Sequence, residues 1–432
     1  MSPEDRMTPP SILEAALPAH APTLGVNGVL ERLKSLDFPI VEAETVTPSH
    51  PDWEWELSAI WRDEEHEIPL QIYATHTDQE LVDVHTTLGH LDENEAMALK
   101  ACNRSLGISL RLPDLDPLGG FHLQVRLLQA MAPLAAGVVD HSSFVARPMG
   151  WLEEAAASPV PPHPNSLWTV HAVWEGDRCW LHTHGMDRCG LLELDMVDIP
   201  REDAGTMAQL LNTAASLMLD NGVPEPDEDF FIGQDMPIVW LPVAKALEIL
   251  GSVDHGGMDD RDGIHLGERG LLLTKEEGKL WGHNYGSLMR YRPMMDAHPL
   301  LYVSDMETAR RRSLARARLD RFLILWRSFR DKEWLQFIVK LGLETTQGSR
   351  EHIWFFLKDA DPERLQGTCM NKPYDVPAMH KGDTGWHSRA LISDWMVLGP
   401  LGQIDPEKIL HLEHFLSDPE NVARVQASLK ES

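Results

Sequence analysis

The chain has 432 residues, with 38 Lys and Arg against 67 Asp and Glu, giving a formal net charge of −29. That length suits two to four domains, and 43% hydrophobic with 24% charged residues is the balance of a folded protein rather than a disordered tail. So acidic a chain is excluded as a global binder of nucleic acid or of an anionic membrane surface, since both would repel it.

The opening residues, MSPEDRMTPP, place acids and prolines where an export signal needs a basic stretch and then an apolar one. The best apolar run, 127–139, is broken by Gln129 and Pro133 and falls short of the ~20 apolar residues of a bilayer span. The four cysteines (Cys102, Cys179, Cys189 and Cys369) form no C-x-x-C pair. A cytoplasmic location with reduced thiols is the expectation, and spacing alone leaves a Cys179–Cys189 bridge open.

In chain order, the Pro- and Ala-rich residues 1–25 read as a flexible tail with at most one helical turn near 12–17. Residues 26–157 read as an α+β domain. It has helices near 29–36, 93–105, 120–134 and 149–157, and strands near 54–61, 68–74, 108–112 and 137–139. The segment SPVPPHPNS, 158–166, holds four prolines and reads as a linker. Residues 167–303 read as a second α+β domain. Its β-type runs at 167–174 and 178–184 meet at the turn EGD, a third follows at 193–199, and helices lie near 203–219 and 242–250. Runs at 264–274 and 279–282 suggest a hairpin. Residues 304–332 read as one long connecting helix, with Ser304 and Glu307 placed as a capping box. This helix carries nine positive and four negative side chains, a charge of +5 set against −34 for the remainder. Residues 333–432 read as a small, β-rich, barrel-like module closed by two helices near 406–416 and 419–429. The fold class is therefore α+β: two mixed domains, a basic helix and a β-rich module.

Residues 337–396 carry FIVKLGLETTQGSREHIWFFL, GTCMNKPYDVPAMHKGD and ISDWM. Their ordered positions Val339-Lys340, Glu351-His352, Trp354, Gly367, Asn371, Pro373, Gly382-Asp383 and Ile392 through Met396 resemble the bacterial domain of unknown function 2314. The run WLHTHGMDRCGLLEL, 180–194, resembles domain of unknown function 4026, a companion region that precedes that module. The resemblance implies a bacterial protein and a modular layout; it implies no reaction. Within the C-terminal match, Asn371, Asp394 and Trp395 are the candidate binding residues, although turn chemistry and core packing account for the same positions.

The strongest chemical constellation is His182-Thr-His184 with Cys189 and Glu193. On a strand the two imidazoles share a face, as a metal requires of neighbouring ligands, and Cys189 with Glu193, or His171 with Cys179, could complete the set. No cofactor is expected from the sequence as a whole; zinc is the ion this cluster would take. Packed histidines bonded across a domain edge are the competing explanation. Cys189 as a nucleophile with a histidine base is a third.

Other signatures fail on spacing. The acidic run 254–263 cannot be an EF-hand, because Met258 and Arg269 would fall at ligand positions 1 and 12. His411 and His414 are one residue short of a zincin's i, i+4 pair, and no phosphate loop, dinucleotide fingerprint or nucleophile elbow is present. Histidine is abundant, at 21 residues, but scattered along the chain. The basic helix reads first as docking on acidic parts of its own chain, then as a contact for an acidic protein, and last as a nucleic-acid surface. The functional expectation is a non-enzymatic protein- or ligand-binding protein, of regulatory or immunity type, whose protein partner would be basic. The alternative is a metal- or thiol-dependent hydrolase centred on His182, His184 and Cys189.

Overall fold

The computed structural model describes all residues except 1–7, 23–24, 37, 64–65, 89–90, 252, 262, 266, 278–282, 297–300, 378 and 432. The chain divides into two compact units, Met1–Ser304 and Asp305–Ser432. Mixed α+β structure is present throughout, in three open sheets. Among the described residues, no helix is long and apolar enough to cross a membrane.

The first sheet is antiparallel and seven-stranded. Its order is Ile40–Val46, Trp53–Arg62, Glu67–His76, Arg104–Leu110, Ser11–Leu17, Gly137–Asp140, Val145–Pro148. The expected tail is thus corrected: Ser11–Leu17 is an interior strand, paired from Ser11↔Leu110 to Leu17↔Arg104 on one side and from Leu13↔Asp140 to Ala16↔Gly137 on the other. Its composition, SILEAAL, favours helix, but pairing on both edges and full burial of Leu13, Ala15 and Ala16 override that preference. The helix Pro117–Met131 packs on this sheet. It starts where Asp116 accepts the Gly119 N–H at 2.9 Å, with proline in the first turn. Its buried Gln124 donates to the carbonyls of Ser11 and Ile108 at 2.8 and 3.0 Å and accepts the Ser11 hydroxyl at 2.7 Å, so this polar group costs little to bury.

The second sheet runs Phe230–Phe231, Pro237–Pro242, Arg269–Glu277, Glu193–Pro200, Arg178–His184, Thr169–Glu175, with His283–Gly286 also paired to Arg269–Glu277. Only the central pair, Glu193–Pro200 with Arg269–Glu277, is parallel among the described strands, and the helix Ala204–Asn221 lies in the crossover between them. Part of the expected 264–274 strand is instead a single turn, Gly263–His265, and residues 279–282 lie outside the described residues.

In the second unit the expected barrel is an open six-stranded antiparallel sheet, ordered Thr384–Ser388, Arg364–Cys369, Arg350–Ala360, Gln336–Glu344, Ile392–Gly399, Gly402–Ile404. The expected single basic helix is two, Asp305–Ala317 and Leu319–Phe329, broken at Arg318. The break lets Ala315, Phe322 and Trp326 all enter the sheet's core beside Val339, Phe355 and Trp395. At the break, the buried Arg318 guanidinium donates to the carbonyls of Pro406 and Glu407 at 2.8 and 3.0 Å. Arg310 pairs with Glu307 and Glu407, Arg321 with Glu413, and Arg316 donates to the Ala390 and Ile392 carbonyls. Much of the basic face is therefore spent inside its own unit.

The two sheets of the first unit are joined by one buried ion pair. Arg188, from the second sheet's region, and Asp140, from the first sheet, are both fully buried. They meet through two parallel hydrogen bonds of 3.0 Å, and Arg188 also donates to the Leu167 carbonyl and the Ser11 hydroxyl at 2.8 and 3.1 Å. The proline-rich segment ends in this network, because Arg188 and Arg147 both donate to the Ser166 carbonyl.

Two stability predictions follow from these contacts. Arg188→Met or Asp140→Leu alone should cost about 3–5 kcal/mol by leaving an uncompensated buried charge, whereas the double substitution should cost clearly less than either. Burial pushes the Asp140 carboxyl up, but Arg188 and Arg147 outweigh it and hold it below its ordinary range. Its contribution is therefore complete above the unfolded-state value of about 3.9 and is lost as pH falls through the lower folded value. Urea unfolding of the three variants beside wild type, with wild type repeated down the acid limb, checks both statements. In the second unit, Trp395 is fully buried and its Nε1–H donates to the Ala315 carbonyl at 2.8 Å. Trp395→Ala should lower stability by about 3–5 kcal/mol and Trp395→Phe by less, read as loss of the near-ultraviolet dichroism of this unit's aromatic cluster on heating.

Candidate functional site

The strand Arg178–His184 is interior to its sheet, so both of its faces are buried. Alternation places Trp180, His182 and His184 on one face. Its hairpin neighbour Thr169–Glu175 brings His171 directly opposite His182, and the strand on the other side brings Asp195 opposite the same residue. His171, His182 and His184 are 6%, 0% and 3% exposed. One ring nitrogen from each lies within 4.8 Å of the others, and this is the one such His, Cys, Asp or Glu group among the described residues.

The rings meet edge to face, with centroids 4.9 Å apart for His182 and His184, 5.0 Å for His171 and His184 and 5.7 Å for His171 and His182. Phe144, from the first sheet's region, closes one side at 4.9 Å from His184, and Trp180 closes another at 4.4 Å from His182. The cluster therefore lies where the two sheets of the first unit meet. Both ring nitrogens of His182 and the Nε2 atoms of His171 and His184 have no hydrogen-bond partner within the protein. Buried polar atoms left this way cost on the order of 1–3 kcal/mol each, which makes four of them in one place a feature that needs a cause.

The electrostatics keep these imidazoles neutral. Burial is the largest influence on all three, and neighbouring imidazoles, His265 among them, add to it with the nearby Arg269 guanidinium. His171 is lowered to about 4, and His182 and His184 fall further below the ordinary histidine range. Arg269 is itself held by the fully buried Asp195, to which its Nε donates at 3.0 Å, and it donates to the Thr183 carbonyl at 2.8 Å. Arg261 pairs with the same carboxylate while stacking 4.5 Å over Trp180. Neutral imidazoles with open lone pairs are the ligand form that Zn²⁺ and other borderline divalent ions take.

The other expected members do not join the group. Glu193 is buried, but its carboxylate accepts the Thr183 hydroxyl at 2.5 Å and the Gly185 and Met186 N–H groups at 2.7 and 2.9 Å, so it holds the turn after His184. Cys189 is half-buried with a free thiol, as is the fully buried Cys179, so no Cys179–Cys189 bridge exists. Burial pushes the Cys189 thiol up to about 12 and the Cys179 thiol to about 11. The C-terminal candidates do not converge either. Trp395 belongs to the core, and Asp394 accepts its neighbour's N–H at 2.8 Å opposite Lys340. Asn371 sits in an exposed turn whose carbonyl accepts the Cys369 thiol.

Spacing along the chain points to His182 and His184 and makes His171 one option. Histidine is scattered in sequence, whereas strand pairing and a returning loop gather His171, His182, His184 and His265. Strand alternation with the hairpin register was the available indication of His171. Nothing local pointed to Asp195 with its two arginines or to Asp140 with Arg188.

Against family models, residues 11–162 match the N-terminal region of the protein of unknown function DUF4026, residues 170–273 match the DUF4026 C-terminal region, and residues 312–401 match DUF2314, described as an uncharacterized protein conserved in bacteria. No curated protein and no solved structure matches the chain. The three histidines all fall inside the DUF4026 C-terminal match, so the site belongs to that part of the architecture. The chain is a DUF4026 protein over residues 11–273, carrying a DUF2314 module at 312–401.

Proposed function

We propose that this protein is a non-enzymatic binding protein whose ligand is a divalent transition-metal ion, zinc in the first place, held by His171, His182 and His184. The observation that carries the reading is the convergence of three buried imidazoles whose ring nitrogens lack partners and lie within 4.8 Å of one another. A tetrahedral zinc ion has Zn–N distances of ~2.0–2.1 Å and therefore nitrogens ~3.3 Å apart, a spacing that small ring rotations reach from here. The charge environment keeps the imidazoles unprotonated, the form that a metal takes. Asp195 is shared by Arg269 and Arg261, which leaves the imidazoles as the soft donors on that face.

The rival hydrolase reading has less support. A thiolate nucleophile needs a depressed pKa, and Cys189 has the reverse. A catalytic metal needs an open coordination position facing substrate, whereas all three ligands are under 7% exposed. A cytoplasmic location and a basic protein partner, both expected from composition, remain part of the proposal. A fixed intracellular metal site would be compatible with either.

Chelator-washed full-length protein should take up about one equivalent of Zn²⁺ or Co²⁺ on equilibrium dialysis. His182→Ala and His184→Ala should abolish uptake and Cys189→Ser should preserve it. At a free ion concentration 100 times Kd, binding should add about 2.7 kcal/mol to stability, seen as a higher thermal midpoint. Uptake below a tenth of an equivalent with an unmoved midpoint would reject the site. Separately, Cys189 should react with iodoacetamide at pH 7 at least ~100-fold more slowly than an ordinary exposed thiol, because so little thiolate is present. Mass-spectrometric peptide labelling measures this, and rapid modification of native protein would restore the thiol mechanism.

A further inference from the structure

Residues 254–261 fold back over the histidine face and are tied down at several points. Asp198 stands at φ +56, where the pairing of its strand is interrupted, and its carboxylate accepts the N–H groups of Asp254 and His255 at 3.0 and 3.1 Å. Gly256, at φ +86, lies so close to the strand that a Cβ there would come within 2.8 Å of Val197 and 2.9 Å of Trp180. Asp260 accepts the Gly256 and Gly257 N–H groups at 2.8 Å each. Arg261 then spans Trp180 and Asp195. These anchors deliver the turn Gly263–His265 to the cluster, where the His265 ring lies 4.7 Å from that of His182, 5.3 Å from that of His184 and 4.9 Å from Trp180.

We propose that His265 is the fourth ligand, so that the ion sits in a closed four-imidazole site and the 254–265 loop is latched by the metal. This rests on the tri-histidine reading and adds to it a coordination number and a consequence. Three ligands come from a rigid hairpin inside a sheet, and the fourth comes from a loop, so loading the site is coupled to how firmly that loop is held. Four protein ligands leave no position for an activated water, which assigns the ion a structural or metal-sensing role rather than a hydrolytic one. Neutral imidazoles leave the ionic charge uncompensated by the ligands themselves, and the Asp195 carboxylate opposite His182 is shared with Arg269 and Arg261.

The test uses full-length, chelator-washed protein titrated with Co²⁺ and then Zn²⁺. Wild type should show the intense visible bands of four-coordinate cobalt, displaced by zinc. It should also become resistant to proteolysis within 254–265 when loaded. His265→Gln should fold normally by circular dichroism and still bind, but on the order of 1,000-fold more weakly, beyond the 10–100-fold typical of losing an outer-shell partner. Its cobalt bands should change and the metal-dependent protection should be lost. His255→Gln, a histidine of the same loop that faces Glu175, should behave as wild type. Unchanged affinity, spectrum and protection in His265→Gln would overturn the fourth-ligand assignment and leave the three-histidine site standing. No cobalt bands in wild type would remove both.

Discussion

The arrangement of the first unit depends on a guanidinium buried between two sheets. Arg188 is fully enclosed, and each of its nitrogens has an acceptor: the Asp140 carboxylate, the Ser11 hydroxyl and the Ser166 and Leu167 carbonyls. A buried ion pair of this kind seldom adds stability over an apolar substitute, but it tolerates little displacement, because any slip strands a charge. Asp140 ends the strand that flanks Ser11–Leu17, so the pair fixes the first sheet's centre against the loop that follows His184. Ser143 and Phe144, which follow Asp140, are thereby set against His171 and His184. The position of the histidine cluster is a consequence of that join.

A second buried charge group acts on the cluster from the other side. Asp195 holds Arg269 and Arg261 beside the imidazoles, and the resulting positive field adds to burial in opposing protonation. Ordinary packed histidines satisfy both ring nitrogens with protein or water groups. Here the surroundings are Trp180, Phe144 and other imidazoles, four ring nitrogens stay without a partner in the protein, and strand geometry gathers them as donors suited to a borderline cation. Convergence and unpartnered ring nitrogens carry the metal reading; the positive field of Arg269 and Arg261 opposes the ion as it opposes the proton, and so lowers the affinity the imidazoles alone would give.

The second unit follows a different logic. Its arginines, buried at 310 and 318 and more exposed at 311 and 321, are matched to backbone carbonyls and to glutamates at 307, 407 and 413. The strong charge contrast between this helical pair and the rest of the chain is resolved largely at short range, within one structural unit. Trp395, anchored on the Ala315 carbonyl and stacked 4.7 Å from Phe322, shows that the ISDWM run serves the core of this sheet.

Several features were legible from residues alone because their causes are local. The hairpin carrying His182 and His184 follows from β-type runs around a turn at Gly176, whose φ of +59 suits glycine. The helix Met149–Ala157 and the shared face of His182 and His184 are likewise matters of periodicity. What failed was non-local. Ser11–Leu17 became a strand only because two partners flank it, the basic helix broke where Arg318 found distant carbonyls, and the C-terminal sheet stayed open because helices cover one of its faces. By itself, then, the sequence determined the α+β class, the two families of module and two of the candidate ligands. Only tertiary structure decided that His171 and His265 join them while Cys189 and Glu193 do not, because register across strands and the return of a loop bring together residues up to 94 positions apart, and spacing along the chain carries no information about such contacts.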